Sequence, residues 1–201
     1  MIKKYLDAET VLLDSYRLAE IIYRSGFRPD FIVGLWRGGS PVGIAVQDCL
    51  EFLGIKTDHI SLRTSYRGLS SYNSMVEKHE NIRVHGTQYL LDNLESHHKL
   101  LIVDDVYSTG LNVQAVLNRL QKKTRRNMPE DVKIATLWRK PSLERVERKP
   151  DFYVHETEDW LVFPYELDGL TEQEIGQEKS FVHKICEKYN IAKVSATEPK
   201  A

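Results

Sequence analysis

The run Leu100-Leu101-Ile102-Val103 is apolar at every position and stops at Asp104-Asp105. A short run without polar alternation marks a strand covered on both faces, and such strands belong to parallel sheets whose crossovers are helices. The helix follows after the small-residue turn Ser108-Thr109-Gly110. Val113, Val116, Leu117 and Leu120 recur there at helical spacing, with Gln114, Asn118 and Arg119 outside. The rhythm repeats along the chain. Asp30 to Leu35 reads as a buried strand ending at Arg37-Gly38-Gly39-Ser40-Pro41, and Val42, Val46, Cys49, Leu50 and Leu53 trace one face of a helix that Gly54 stops. Ile55 to Arg63 and Asp131 to Trp138 supply two more strands. This alternation predicts an α/β protein: a twisted parallel sheet with right-handed crossovers and helices on both faces.

The pattern loosens at both ends. Asp14 to Tyr23 is expected to be a helix with Leu18, Ile21 and Ile22 inward, and Ser142 to Lys149 a charged connection. Phe152 to Val154 and Trp160 to Pro164 look like strands, followed by a last helix with Val182, Ile185, Cys186 and Tyr189 on one face. One domain over 1–201 is expected, with a core at about 25–140, a small hood at about 141–190 joined by the N-terminal helix, and a frayed tail at 192–201. The polar stretch Thr64 to His85 is long for a loop in a compact domain, which favours a functional segment.

Composition removes several classes. Among 201 residues, 41% are hydrophobic and 28% charged, too apolar for a disordered chain, and a net charge of -1 gives no bulk field for nucleic acid. Cys49 and Cys186 cannot build a disulfide framework or a four-ligand zinc site, and the histidines, His97-His98 included, show no metal-ligand spacing. Lys122-Lys123 and Arg125-Arg126 read as a solvated helix end. Charge comes early in Met1 to Asp7, and no window approaches the roughly 20 apolar residues of a bilayer span. A reduced, cytoplasmic protein without membrane or nucleic-acid partners is expected.

The chemistry concentrates in Leu100 to Asn112. Ligands of open parallel sheets bind at the carboxyl ends of the strands, and a helix N-terminus offers backbone N–H groups to phosphate. Ser108 and Thr109 add hydroxyls there, and Gly110 admits close backbone approach. Two adjacent carboxylates, Asp104 and Asp105, suit sugar hydroxyls or a hard metal bridging to substrate oxygens. Arg37-Gly38-Gly39, at the end of another strand, can face an anion with unobstructed N–H groups and a guanidinium.

Val103-Asp104-Asp105-Val106-Tyr107-Ser108-Thr109-Gly110 resembles the phosphoribosyl pyrophosphate (PRPP) signature of type I phosphoribosyltransferases. Other segments match in the family's order. Leu35-Trp36-Arg37-Gly38-Gly39 resembles its pyrophosphate loop, in which a cis peptide often adjoins the basic residue, and Ser65-Tyr66 resembles the pair opening the mobile catalytic loop of the 6-oxopurine enzymes. Arg139-Lys140-Pro141 and Asp159 to Glu166 (DWLVFPYE) resemble the base-binding segments of the xanthine-guanine and archaeal-type enzymes.

The resemblance implies a transferase that joins PRPP to hypoxanthine, guanine or xanthine and releases pyrophosphate, with Mg2+ as cofactor, or Mn2+ in its place. It implies catalytic roles for Asp104, Asp105, Ser65 and Tyr66, with Asp105 toward the metal. PRPP and pyrophosphate would be held by Trp36, Arg37, Gly38, Gly39, Asp104, Asp105, Tyr107, Ser108, Thr109, Gly110, Leu111 and Asn112. Lys140 would donate to the 6-oxygen, Trp160 stack on the base, Leu161 meet it through backbone groups, and Glu166 lie near its 2-position edge. A homodimer is the family's common state. Two positions depart from the pattern. Ser108 stands where the purine enzymes carry an aspartate for the base N7 proton, and Asn112 replaces a threonine that follows the glycine. Serine is a poor base, which leaves open a transferase for another base, or a PRPP-sensing regulatory protein that transfers nothing.

Overall fold

The computed structural model describes residues 3–66, with the Tyr66 side chain excepted, and 82–189. In chain order the elements are β1 (Lys3–Tyr5), α1 (Ala8–Arg24), β2 (Phe31–Trp36), α2 (Gly39–Phe52), β3 (Asp58–Tyr66), β4 (Ile82–His85), α3 (Gln88–Asn93), β5 (Lys99–Tyr107), α4 (Leu111–Thr124), β6 (Asp131–Arg139), β7 (Phe152–Glu156), β8 (Trp160–Val162), α5 (Glu172–Glu178) and α6 (Ser180–Lys188). Six strands form one sheet in the order β4-β3-β2-β5-β6-β7, and β1 with β8 forms a second of two strands. Only β4 runs antiparallel to its neighbour in the large sheet.

The apolar run of β5 shows why this sheet is buried on both sides. Leu100, Leu101, Ile102 and Val103 are all fully buried, and pleating sends them alternately to two cores. Leu101 and Val103 pack with Leu18 and Ile22 of α1 and Val42, Val46 and Leu50 of α2. Leu100 and Ile102 pack with Val113, Val116 and Leu120 of α4 and Leu90 of α3. At about 1.5–3 kcal/mol for each fully buried aliphatic side chain, these two layers fix strand order and register together.

Several boundaries move. The strand begun at Leu100 continues through the acid pair to Tyr107, because pairing to β6 persists at Asp104↔Thr136, Val106↔Trp138 and Tyr107↔Arg139. The strand expected at Ile55 to Arg63 begins at Asp58, and the N-terminal helix begins at Ala8, where the Asp7 carboxylate accepts from the Thr10 amide at 2.8 Å. The polar stretch Thr64 to His85 has strand at both ends, in β3 and β4; its interior, and the tail 192–201, lie outside the described residues. The core extends past the boundary expected near residue 140: β7 joins the large sheet, and α1 packs in its main core rather than in a hood. The small unit is instead the pairing of β1 with β8, which joins residues 3–5 to residues 160–162. The expected last helix is two helices, and α6 buries none of its residues; Ile185 and Tyr189 are exposed.

Candidate functional site

Because β2, β3, β5 and β6 run parallel, their carboxyl ends share one edge, as ligand sites in such sheets require. That edge gathers Trp36, the backbone of Tyr66, the acid pair and Lys140. Crossovers on opposite faces place two loops there: Arg37-Gly38 leading into α2, and Ser108 to Gly110 leading into α4.

The first loop lies directly on the acids. A Cβ on Gly38 would meet Asp105 Oδ2 at 1.5 Å, and one on Gly39 would meet the Val103 carbonyl oxygen at 2.5 Å and Asp104 Cα at 2.9 Å. Contact rather than dihedral angles favours glycine at both, against side-chain atoms at Gly38 and against backbone at Gly39. The Trp36-Arg37 peptide is cis. Trp36 and Arg37 are exposed at the rim.

The acids themselves are ordered by backbone. Asp104 Oδ1 accepts from the Asp105 amide at 3.0 Å, and Asp105 Oδ1 from the Val106 amide at 2.8 Å. Burial first, and then the charge on Asp105, push the Asp104 carboxyl well above the usual carboxylate range. A half-buried carboxylate pair of this kind gains from a cation or from several hydroxyl donors. The donor set is hard oxygen, which fits Mg2+ or Mn2+ and not a soft metal. With only two protein carboxylates, such an ion would complete its shell with substrate oxygens and water. Among the described residues no cluster of three or more His, Cys, Asp or Glu offers an all-protein cage.

The second loop opens α4. Gly110 takes φ +76°, a left-handed conformation that favours glycine, and a Cβ there would meet the Tyr107 hydroxyl at 2.3 Å. Thr109 Oγ1 accepts from the Leu111 amide at 3.3 Å, and Ser108 and Asn112 are half-buried beside it. Tyr107 departs from the expectation that its hydroxyl holds phosphate. The ring is buried in the core on the α4 side, and the hydroxyl donates to the Arg148 carbonyl oxygen. Burial raises the phenol to about 12. Tyr107 therefore supports the loop from beneath, and only its backbone lies at the site edge. Tyr107→Phe is expected to cost about 1–2 kcal/mol of stability, measured by denaturant unfolding, with activity per folded molecule retained.

The remaining residues approach from the far side. Lys140 Nζ donates to the Asp159 carbonyl oxygen at 2.6 Å, and burial holds its pKa below that of an ordinary lysine. Trp160 is half-buried and Leu161 buried in β8, in register with Lys3 and Lys4 of β1. Glu166 Oε2 accepts from the Phe163 amide at 3.0 Å, and burial raises its carboxyl. Ser65 Oγ is hydrogen-bonded to His85 Nε2 at 2.9 Å, a cross-strand contact between β3 and β4 rather than one with the acids. The structure thus joins Gly38, Gly39 and the acid pair by contact and carries Lys140, Trp160, Leu161 and Glu166 on adjoining segments.

Sequence reasoning gave no role to Tyr165. Its hydroxyl donates to Asp105 Oδ2 at 3.0 Å and lies 3.4 Å from the Gly38 carbonyl oxygen, so it links the base-side segment to both loops. Burial and the neighbouring acids raise its pKa. An aromatic between Pro164 and Glu166 was the available signal, but only the fold shows that it reaches a residue 60 positions earlier.

Comparison with known proteins agrees with this geometry. Residues 1–169 match the phosphoribosyl transferase domain family. Over 156 residues the chain is 28% identical to the bifunctional protein PyrR of Corynebacterium diphtheriae, covering 73% of this chain and 75% of that protein. A purine phosphoribosyltransferase from Pyrococcus horikoshii is 27% identical, with a TM-score of 0.61 over 86% of this chain and 99% of the other. The xanthine-guanine-hypoxanthine phosphoribosyltransferase of Helicobacter pylori, 20% identical, shares the fold with a TM-score of 0.59 over 83% and 95% of the two chains.

Proposed function

The chain belongs to the phosphoribosyl transferase domain family, and from that premise we propose that it transfers the phosphoribosyl group of PRPP to a 6-oxopurine with release of pyrophosphate. The observation that carries the reading is the packing of Gly38 on the Asp105 carboxylate, which supports assigning the loop to the anion and the adjoining acid pair to the sugar. Similarity to a purine phosphoribosyltransferase over 86% of this chain supports the choice of base.

In this reading the bond from the ribose anomeric carbon to pyrophosphate breaks as a bond to a purine nitrogen forms. Positive charge builds on the ribose ring, and Asp104 and Asp105 hold its hydroxyls beneath that charge. Arg37 and the N–H groups around Gly38 and Gly39 hold the departing anion. The first turn of α4, with Ser108 and Thr109, holds the 5′-phosphate at the positive end of the helix. Asp105 would hold Mg2+ or Mn2+ together with substrate oxygens, and the ion would supply further charge neutralisation to the leaving group. Ser65 and Tyr66 open the segment that would exclude water. A cytoplasmic homodimer accompanies the reading as a family expectation.

Lys140 would select the base. Its ammonium has three protons and gives one to Asp159, which aims the rest. Lys140→Met is expected to lower kcat/KM for an oxopurine by about ten- to a hundredfold, the value of a buried hydrogen bond from a charged donor, and to leave a base without the 6-oxygen little changed.

Ser108 favours a second reading, a regulatory protein that binds PRPP without transfer or a transferase for another base, since a neutral hydroxyl gives N7 no general base. Isotope-labelled PRPP incubated with a panel of bases separates these. Labelled nucleotide from an oxopurine, lost in EDTA and restored by Mg2+, is the expected result. Product from a pyrimidine alone would move the substrate class, and PRPP binding without product from any base would leave the regulatory reading.

A further inference from the structure

The last two helices lie beyond the matched residues 1–169, yet they send one charged side chain back into the base-side segment. Lys179, at the junction of α5 and α6, is only 4% exposed. Its Nζ donates to the Phe163 carbonyl oxygen at 2.7 Å and to that of Pro164 at 3.1 Å. Burial holds the ammonium below the usual lysine range. The nearby Glu166 carboxylate favours the charged form but does not outweigh the cost of burying a cation, so the contact is one the rest of the fold enforces.

The two carbonyls belong to a closed turn. The Phe163 oxygen also accepts from the Glu166 amide at 3.0 Å, and Glu166 Oε2 returns to the Phe163 amide at 3.0 Å. Tyr165, between them, points the other way and donates to Asp105. The turn is therefore gripped from two sides: by Lys179 at its carbonyls and by the acid pair at the Tyr165 hydroxyl.

We propose that Lys179 is a positioning residue for transfer: by holding the Phe163 and Pro164 carbonyls it fixes the turn that presents Glu166 and sets Tyr165 on Asp105, registering the base-side segment against the ribose site. The inference rests on the phosphoribosyl-transfer reading. It acts through the backbone of the turn and touches neither substrate.

The test compares full-length wild type with Lys179→Met, which keeps the stem and removes the donors, and Lys179→Arg, which keeps the charge. Amide hydrogen exchange is followed at Phe163 and Glu166, with β5 as the internal reference, and KM is measured separately for the base and for PRPP. Lys179→Met should exchange about tenfold faster at the turn alone, and raise KM for the base about tenfold while PRPP stays within about twofold. Lys179→Arg should recover part of both effects. Unchanged exchange at the turn, or an equal rise in KM for both substrates, overturns the proposal. If Lys179→Met does not fold, Lys179→Gln takes its place with the same readouts. If the wild type transfers to no purine, the transfer reading fails, and the exchange result still decides whether Lys179 holds the turn.

Discussion

The double variant Asp104→Asn, Asp105→Asn is expected to lose at least about a thousandfold in kcat while melting at or above the wild-type temperature. The two effects have one cause. Asp104 is half-buried beside a second acid, and its carboxyl is pushed well above the ordinary range, by loss of solvent more than by Asp105. A raised folded pKa means that the folded chain holds a proton the unfolded chain has released. Stability therefore falls as pH rises from the ordinary carboxylate range toward the folded pKa. Asparagine cannot ionise, so the variant escapes that loss, and its advantage should widen from acidic to neutral pH. Its Oδ1 still accepts from the Asp105-position and Val106 amides, as both aspartates do now, so the strand end keeps its local bonds. Thermal melts across pH, together with turnover per folded molecule, check both halves. A large loss of stability with retained turnover would make the pair structural.

How far the sequence disclosed this site depends on the range of the interaction. Leu100 to Val103 could be read as a doubly buried strand because both cores act on adjacent residues, and that strand sets the sheet, the edge and the place of the acids. Short edge elements were not visible. In β4 only Ile82 and Val84 are half-buried between charged neighbours, and three-residue β1 exists only through its partner β8, in register from Lys3↔Trp160 onward. The helical period found α6's apolar stripe but not its surroundings, since periodicity reports a face and not a partner. Tyr107 is expected at the phosphate because it lies within the segment that resembles the PRPP signature. Its ring packs with Leu100 and Ile102, although strict alternation along β5 would send residue 107 to the opposite face, so the pattern read from the apolar run does not carry across the acids. Tyr165 and Lys179 act across contacts that no local spacing encodes.

Gly38→Ala tests the junction of loop and acids without touching either charge. The backbone at Gly38 is ordinary, φ -71° and ψ -29°, so alanine meets no dihedral penalty there. Its Cβ would instead fall 1.5 Å from Asp105 Oδ2 and 2.7 Å from the Tyr165 hydroxyl. Both obstacles are side-chain ends that can swing aside. The variant should therefore fold, at a cost of about 1–3 kcal/mol. It should also displace the Asp105 carboxylate and break its bond from Tyr165, so kcat/KM for PRPP should fall by at least about a hundredfold. Gly39→Ala meets the Val103 carbonyl oxygen at 2.5 Å and Asp104 Cα at 2.9 Å. Those are backbone atoms that cannot yield, so its dominant effect should be on folding. Gly54→Ala is the control for the substitution itself: at φ +87° with nothing within 4 Å, it should cost about 1 kcal/mol through strain alone and leave turnover per folded molecule unchanged. Denaturant unfolding with PRPP-saturation kinetics on the three variants separates the cases. Wild-type kinetics in folded Gly38→Ala would show that Asp105 need not sit where the loop now holds it, and the convergence of loop and acid pair would lose its catalytic meaning.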